Sequence, residues 1–169
     1  MKYTFKLLIT HLIVFFCFTI ATFGNDFKEG FFGVRITNGL NAPTSIAVAP
    51  DGRIFITEKS GRLRIIENDI LLSEPVLEVV ADDFGERGLG SIVLDPDFES
   101  NGYIYIYYTV KGRDFNRVER YTINGNLAIP GSDTTILELE PLPSITHNGG
   151  AMRFDASGAL LIALSLIHI

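Results

Sequence analysis

The sequence carries one cysteine, Cys17, and no tryptophan. Cys17 sits in an apolar segment near the N-terminus, so the remainder of the chain has no thiol. That excludes a disulfide framework, a thiol nucleophile and a cysteine-ligated metal beyond that segment. Positive charge is scarce as well: 14 Lys and Arg stand against 20 Asp and Glu, a net charge of -6. Sequence-independent binding to DNA or RNA phosphates depends on Lys and Arg, and no basic patch with interleaved aromatics is present, so no nucleic acid partner is expected. Helical periodicity is missing throughout the chain after residue 24, and only one long apolar run occurs, at residues 7–20.

That run has the three-part layout of a secretory signal peptide. Lys2 and Lys6 form the basic start, residues 7–20 the apolar stretch, and Ala21 and Gly24 offer small residues for cleavage. A membrane anchor is the competing reading, but the run is short for a span and His11 interrupts it. A lipoprotein signal at Cys17 is disfavoured by the bulky Phe16 before it. Residues 1–24 are therefore expected to be removed, leaving a secreted or periplasmic protein without stable membrane association. Loss of two lysines takes the charge to about -8.

What remains reads as β-structure. Residues 45–49 and 54–58 are apolar runs joined by the tight turn Pro50-Asp51-Gly52-Arg53, and residues 62–66 alternate polar with apolar. The pattern returns: residues 90–94, then a turn from Asp95 to Gly102, then the strongly β-prone Tyr103-Ile104-Tyr105-Ile106-Tyr107-Tyr108-Thr109 and an alternating strand at 116–123. It starts a third time with Ala151-Met152-Arg153-Phe154, passes Asp155-Ala156-Ser157-Gly158 and continues through 159–163. The turn glycines Gly52, Gly102 and Gly158 lie 50 and 56 residues apart. Repeats of about 40–50 residues built from short antiparallel strands mark a β-propeller, one blade per repeat. A β-sandwich with similar hairpins is the alternative, but sandwiches lack so long a fixed period.

Propellers close with about four to eight blades, and this chain holds two and part of a third. Such an open array exposes strand edges and apolar surface. The sequence is accordingly expected to be the N-terminal part of a longer protein. Residues 164–169, Leu-Ser-Leu-Ile-His-Ile, read as the translation of a sequencing adapter, which would leave His168 without a role. The expected organisation is a signal peptide at 1–24, propeller at 25–163 and a non-native tail at 164–169.

One stretch carries chemistry: Thr146-His147-Asn148-Gly149-Gly150. Histidine has its unperturbed pKa near neutrality and serves as a proton acceptor without large tuning. Two glycines permit φ > 0 and let backbone approach a flat ligand. Taken alone, the stretch is also an ordinary turn.

In order, five segments resemble the soluble glucose/sorbosone dehydrogenase family. The first is Pro43-Thr44-Ser45-Ile46-Ala47 with residues 50–58 and Gly61-Arg62-Leu63-Arg64-Ile65. The second is Gly85-Glu86-Arg87-Gly88-Leu89-Gly90, and the third Asp95-Pro96-Asp97-Phe98 with Asn101-Gly102-Tyr103-Ile104-Tyr105. The fourth is Asn116-Arg117-Val118 with Arg120-Tyr121, and the last His147-Asn148-Gly149-Gly150 with Phe154 and Gly158. The resemblance spans about residues 40–163. It implies an all-β, six-bladed propeller that holds pyrroloquinoline quinone (PQQ) with Ca²⁺ at the top of its channel. It also implies oxidation of the C1 hydroxyl of an aldose to a lactone, with electrons passing on to an external acceptor.

By the same resemblance His147 is the catalytic base, and Glu86, Arg87, Asn148 and Gly149 lie at the cofactor. Glu86 departs from the Gln of the best-known members. A carboxylate there would repel an anionic cofactor unless protonated or paired, and Arg87 is the expected partner. The Ca²⁺ ligands and the cationic clamps for PQQ fall in later blades, and no metal ligand is assigned here. Asp95, Asp97, Glu99 and Asn101 have the spacing of a calcium loop, but Pro96 and the missing distal Glu favour a solvated turn. Two other functions remain open: a metal-dependent lactonase-type propeller, and a non-catalytic propeller that binds a sugar or a protein.

Overall fold

The computed structural model describes residues 28–165. The expected signal peptide and His168 lie outside them. Two compact units are distinguished, residues 1–35 and 36–169. Of the first, the described part is a short turn in which the Phe31 amide donates to the Lys28 carbonyl at 3.0 Å, with Phe31 and Phe32 exposed.

The second unit is all-β apart from one helical turn. Strands β1 (Pro43–Val48), β2 (Ile54–Glu58), β3 (Arg62–Glu67) and β4 (Ile70–Leu71) form an antiparallel sheet in chain order, with β5 (Leu77–Glu78) also paired to β3. The second sheet runs β6 (Leu89–Leu94), β7 (Tyr103–Thr109), β8 (Asn116–Asn124) and β10 (Thr134–Glu138), with β9 (Leu127–Ala128) on β8. A third holds β11 (Ala151–Phe154) and β12 (Leu160–Ala163). Each sheet is a meander whose first strand packs on the next sheet's first strand: β6 touches β1 and β2 on one side and β11 on the other. This is the propeller arrangement read from the 50-residue repeat, with sheets side by side rather than face to face.

Alternation explains the core. Phe55, Leu63, Ile65, Leu89, Ile92, Ile104 and Ile106 form one buried cluster between the first two sheets. Phe98 belongs to it, edge-on to Phe55 with ring centroids 5.8 Å apart. Burial of large apolar side chains at about 25 cal/mol per Å² is what holds such sheets together.

Polar staples join the blades at both ends. The Thr44 hydroxyl donates to the Leu89 carbonyl at 2.6 Å, and the Ser91 hydroxyl to the Gly150 carbonyl at 2.7 Å. At the opposite end, Arg53 reaches the Gly125 carbonyl and the Asn126 side chain, whose amide donates to Glu67 at 3.0 Å.

Two differences from the sequence reading stand out. Residues 98–101 form the single helical turn α1 (Phe98–Asn101), closed by Gly102 at φ 67. Four residues are too few to show a 3.6-residue period. The fourth strand of the second blade, β10, has all five residues exposed, so no alternation betrayed it. The Asp95 segment is an ordinary turn: its carboxylate accepts the Asp97 amide, the Asn101 side chain and the Tyr105 hydroxyl at 2.9–3.0 Å. Burial alone would raise the Asp95 pKa, but these donors outweigh it and hold the carboxyl below its usual range.

Candidate active site

The inner strands β1, β6 and β11 all start at one end of the array. Their first residues are tied together there by the Thr44 and Ser91 staples. The loops that enter β6 and β11, residues 82–88 and 144–150, therefore meet at this end. They carry every site residue expected from the sequence.

The two loops are zipped together. The Glu86 amide donates to the Ile145 carbonyl at 2.9 Å, and the His147 amide donates to Glu86 Oε2 at 2.6 Å. Gly85 must be glycine at this junction. It sits at φ 62, and a Cβ there would stand 2.9 Å from the Ile145 carbonyl oxygen. Lys59 reaches across from the first blade and donates to the Gly85 carbonyl at 2.6 Å.

His147 is exposed and has φ 61, the left-handed region that a side chain with a Cβ rarely occupies. Such backbone persists only where surrounding contacts enforce it. Here the enforcing contacts are visible. Below His147, the Asn148 carbonyl accepts the Tyr107 hydroxyl at 2.7 Å and the Asn116 side-chain amide at 3.4 Å. Asn116 in turn accepts the Thr109 hydroxyl at 2.6 Å. Above it, the Glu86 carboxylate holds the His147 amide. The result is an exposed imidazole on a rigid pedestal.

The remaining site residues are placed differently from the expectation. The Glu86–Arg87 pair does not form. The Arg87 guanidinium is instead 2.8 Å from Asp82 and 2.7 Å from Asp114, and it also donates to the Ser144 carbonyl at 3.4 Å. Consecutive residues in this tight loop point apart, so Glu86 faces out while Arg87, only 8% exposed, faces in. Its hydrogen bond to Asp82 raises the Arg87 pKa and lowers that of Asp82, so both stay charged at neutral pH.

Asn148 is buried. Its Nδ2 donates to the Ile145 carbonyl at 3.2 Å, while Oδ1 has no hydrogen-bond partner. Nor do the paired glycines leave an open cradle. A Cβ on Gly149 would meet the Ser165 amide nitrogen at 2.8 Å, and one on Gly150 would lie 2.3 Å from the Tyr107 ring. Their missing side chains make room for the protein itself. Tyr107, Asn116 and Ser91 went unnoticed in the sequence because they belong to strands that read as plain β-structure.

Among the described residues no group of three or more His, Cys, Asp or Glu could hold a metal ion, and no helix is long and apolar enough to cross a membrane.

The model of the Glucose / Sorbosone dehydrogenase family matches residues 40–165. The chain belongs to this family. It is 36% identical over 143 residues to an uncharacterised protein of Synechocystis, covering 78% of this chain and 34% of that protein. It is also 30% identical over 150 residues to mouse Hedgehog-interacting protein, covering 77% of this chain and 21% of that one. The chain thus spans about a third of the length of one of these relatives and about a fifth of the other.

Among solved structures, a glucose dehydrogenase-like oxidoreductase from Thermus superposes with TM-score 0.69 at 30% identity, over 76% of this chain and 39% of that one. The PQQ-bound aldose sugar dehydrogenase of Streptomyces coelicolor superposes with TM-score 0.64 at 26% identity, over 74% of this chain and 38% of that one. The all-β, propeller-type fold expected from the repeat is the fold of these sugar dehydrogenases.

The junction exposes His147 and, beside it, the Glu86 carboxylate, one oxygen of which accepts the His147 amide. An anionic cofactor such as PQQ would meet that carboxylate with no Arg87 partner, so the positive charge it needs would have to come from elsewhere in the protein.

Proposed function

We propose that this chain is the N-terminal part of an exported, PQQ-dependent aldose dehydrogenase, with His147 as the general base. The observation that carries the proposal is the exposed imidazole held at φ 61 on a buried hydrogen-bonded base, beside the Glu86 carboxylate. A side chain displayed at a cost in backbone strain is the mark of a group placed for use.

In this reading the neutral imidazole takes the proton from the C1 hydroxyl of the sugar as C1 gives up hydride. PQQ, when bound, would supply the acceptor for that hydride. Glu86 would lie beside the cofactor, with Gly149 exposed on the neighbouring turn. Arg87 and Asn148, both buried, act by fixing the two loops rather than by touching ligand. The carboxylate of Glu86 and the base leave the cationic side of the site, and the Ca²⁺ ligands, to other parts of the protein.

The test is reconstitution of the whole protein with PQQ and Ca²⁺, followed by dye reduction with a panel of aldoses. Reduction is expected with at least one sugar. Replacing His147 with Ala should lower turnover about a hundredfold or more, the usual span for a lost general base. Turnover unchanged in that variant would remove His147 from the mechanism.

A second reading has a specific observation behind it. The similarity to mouse Hedgehog-interacting protein, named for a binding partner rather than a reaction, favours a non-catalytic binding propeller. Under that reading no sugar reduces the dye and no PQQ is retained on gel filtration.

A further inference from the structure

The two adjacent tyrosines of β7 point to opposite faces of the second sheet, and both are buried, 2% exposed for Tyr107 and 5% for Tyr108. Burial pushes each phenol up to about 12, so each is a hydrogen-bond donor at any working pH. Their partners differ. The Tyr108 hydroxyl donates to Glu119 Oε2 at 2.9 Å, inside the blade. The Tyr107 hydroxyl donates to the Asn148 carbonyl at 2.7 Å, and its ring lies where a side chain on residue 150 would have to go. The Asn148 carbonyl belongs to the 148–149 peptide, one link beyond His147, so the Tyr107 bond anchors the chain immediately after the residue that carries the imidazole.

We propose that Tyr107 is a positioning residue for His147, acting through the Asn148 carbonyl and with no contact to substrate. The inference rests on the reading of His147 as the base. Its companions in the grip are Asn116 on the same carbonyl and Ser91 on the Gly150 carbonyl. Each of these bonds comes from a sheet strand, a stiffer support than a loop. Loss of the hydroxyl leaves the ring packed against Gly150 and frees the 148–149 peptide to turn, which loosens the link to His147.

Tyr107→Phe and Tyr108→Phe separate positioning from bulk structure, because each deletes one buried hydroxyl from neighbouring positions of one strand. Two measurements are made on the whole protein. The first is kinetics of the PQQ-loaded enzyme. Tyr107→Phe is expected to lower kcat about tenfold with KM little changed, less than the roughly hundredfold cost of moving a catalytic group by about 1 Å because Asn116 still holds the same carbonyl. Tyr108→Phe is expected to keep kcat within about twofold of wild type. The second is amide hydrogen exchange over residues 145–150 without cofactor, where Tyr107→Phe should exchange faster than wild type and Tyr108→Phe should not.

Equal exchange in the two variants, or equal loss of kcat, overturns the proposal. If wild type itself fails to turn over any sugar, the dehydrogenase reading fails. The exchange measurement then still decides whether Tyr107 holds the His147 segment.

Discussion

The two ends of the sheet array are built on different principles. At one end, three hairpins close through the same device: an Asp whose carboxylate takes nearby donors, followed by a glycine at positive φ. Asp51 accepts the Arg53 amide at 3.0 Å, Asp95 the Asp97 amide at 3.0 Å, and Asp155 the Ser157 amide at 2.8 Å. Gly52, Gly102 and Gly158 lie at φ 90, 67 and 84. At the other end the Thr44 and Ser91 staples recur from blade to blade, but the loops do not. The loops entering β6 and β11 differ in residues, and they spend buried charge, a strained histidine and four tightly packed glycines on a single junction. Turns that only reverse the chain are interchangeable and recur. The junction between blades is assembled from contacts that each occur once.

That contrast can be tested by substitution. The largest effect is expected at Gly150. An alanine there would bring its Cβ to 2.3 Å from the Tyr107 ring at a φ of 100. Overpacking and left-handed backbone together should cost about 3 kcal/mol in denaturant unfolding. Gly158→Ala is the matched control at the turn end, since nothing lies within 4 Å of its Cβ. It should cost only the backbone penalty of about 1 kcal/mol. Equal losses at the two positions would break the distinction.

Arg87→Ala is next in size. It strands Asp82 and Asp114, and because Asp114 is well exposed the expected cost is about 2 kcal/mol, below that of a fully buried pair. The same substitution has a pH signature. Arg87 lowers the Asp82 pKa in the folded protein, so the stabilisation is complete above the unfolded carboxylate value of about 4 and is lost as pH falls through the lower folded value. Wild type should therefore lose more stability than Arg87→Ala between neutral pH and the acid range below 4. Parallel acid profiles would show that the pair is not coupled to folding.

The smallest effect is expected for Asp155→Ala, whose carboxylate serves only its own solvent-exposed turn through Ser157 and Ala159. Its melting temperature should shift least of the set. A loss as large as that of Arg87→Ala would mean the repeated turns do more than reverse the chain.

The legible features were those with a local cause. The eight strands read from apolar runs, β-prone residues and alternation appear within about two residues of their predicted limits, and the Asp–Gly turns appear where composition placed them. Glu86 and His147, 61 residues apart in sequence, meet at one junction. The partner of Arg87 was not legible. Asp114 lies 27 residues away in sequence and meets Arg87 only through the strand order. The reason for the two glycines was hidden in the same way, because the Tyr107 ring and residues 163–165 reach them from elsewhere in the chain.

Residue order alone settled the strand pattern, the turn chemistry and the repeat, because alternation and positive-φ turns act between neighbours a few positions apart. Packing of blade against blade settled which way Arg87 faces, why the paired glycines carry no side chain and what holds His147 upright. Those outcomes depend on groups separated by tens of residues, and only the sheet register brings them within hydrogen-bonding distance.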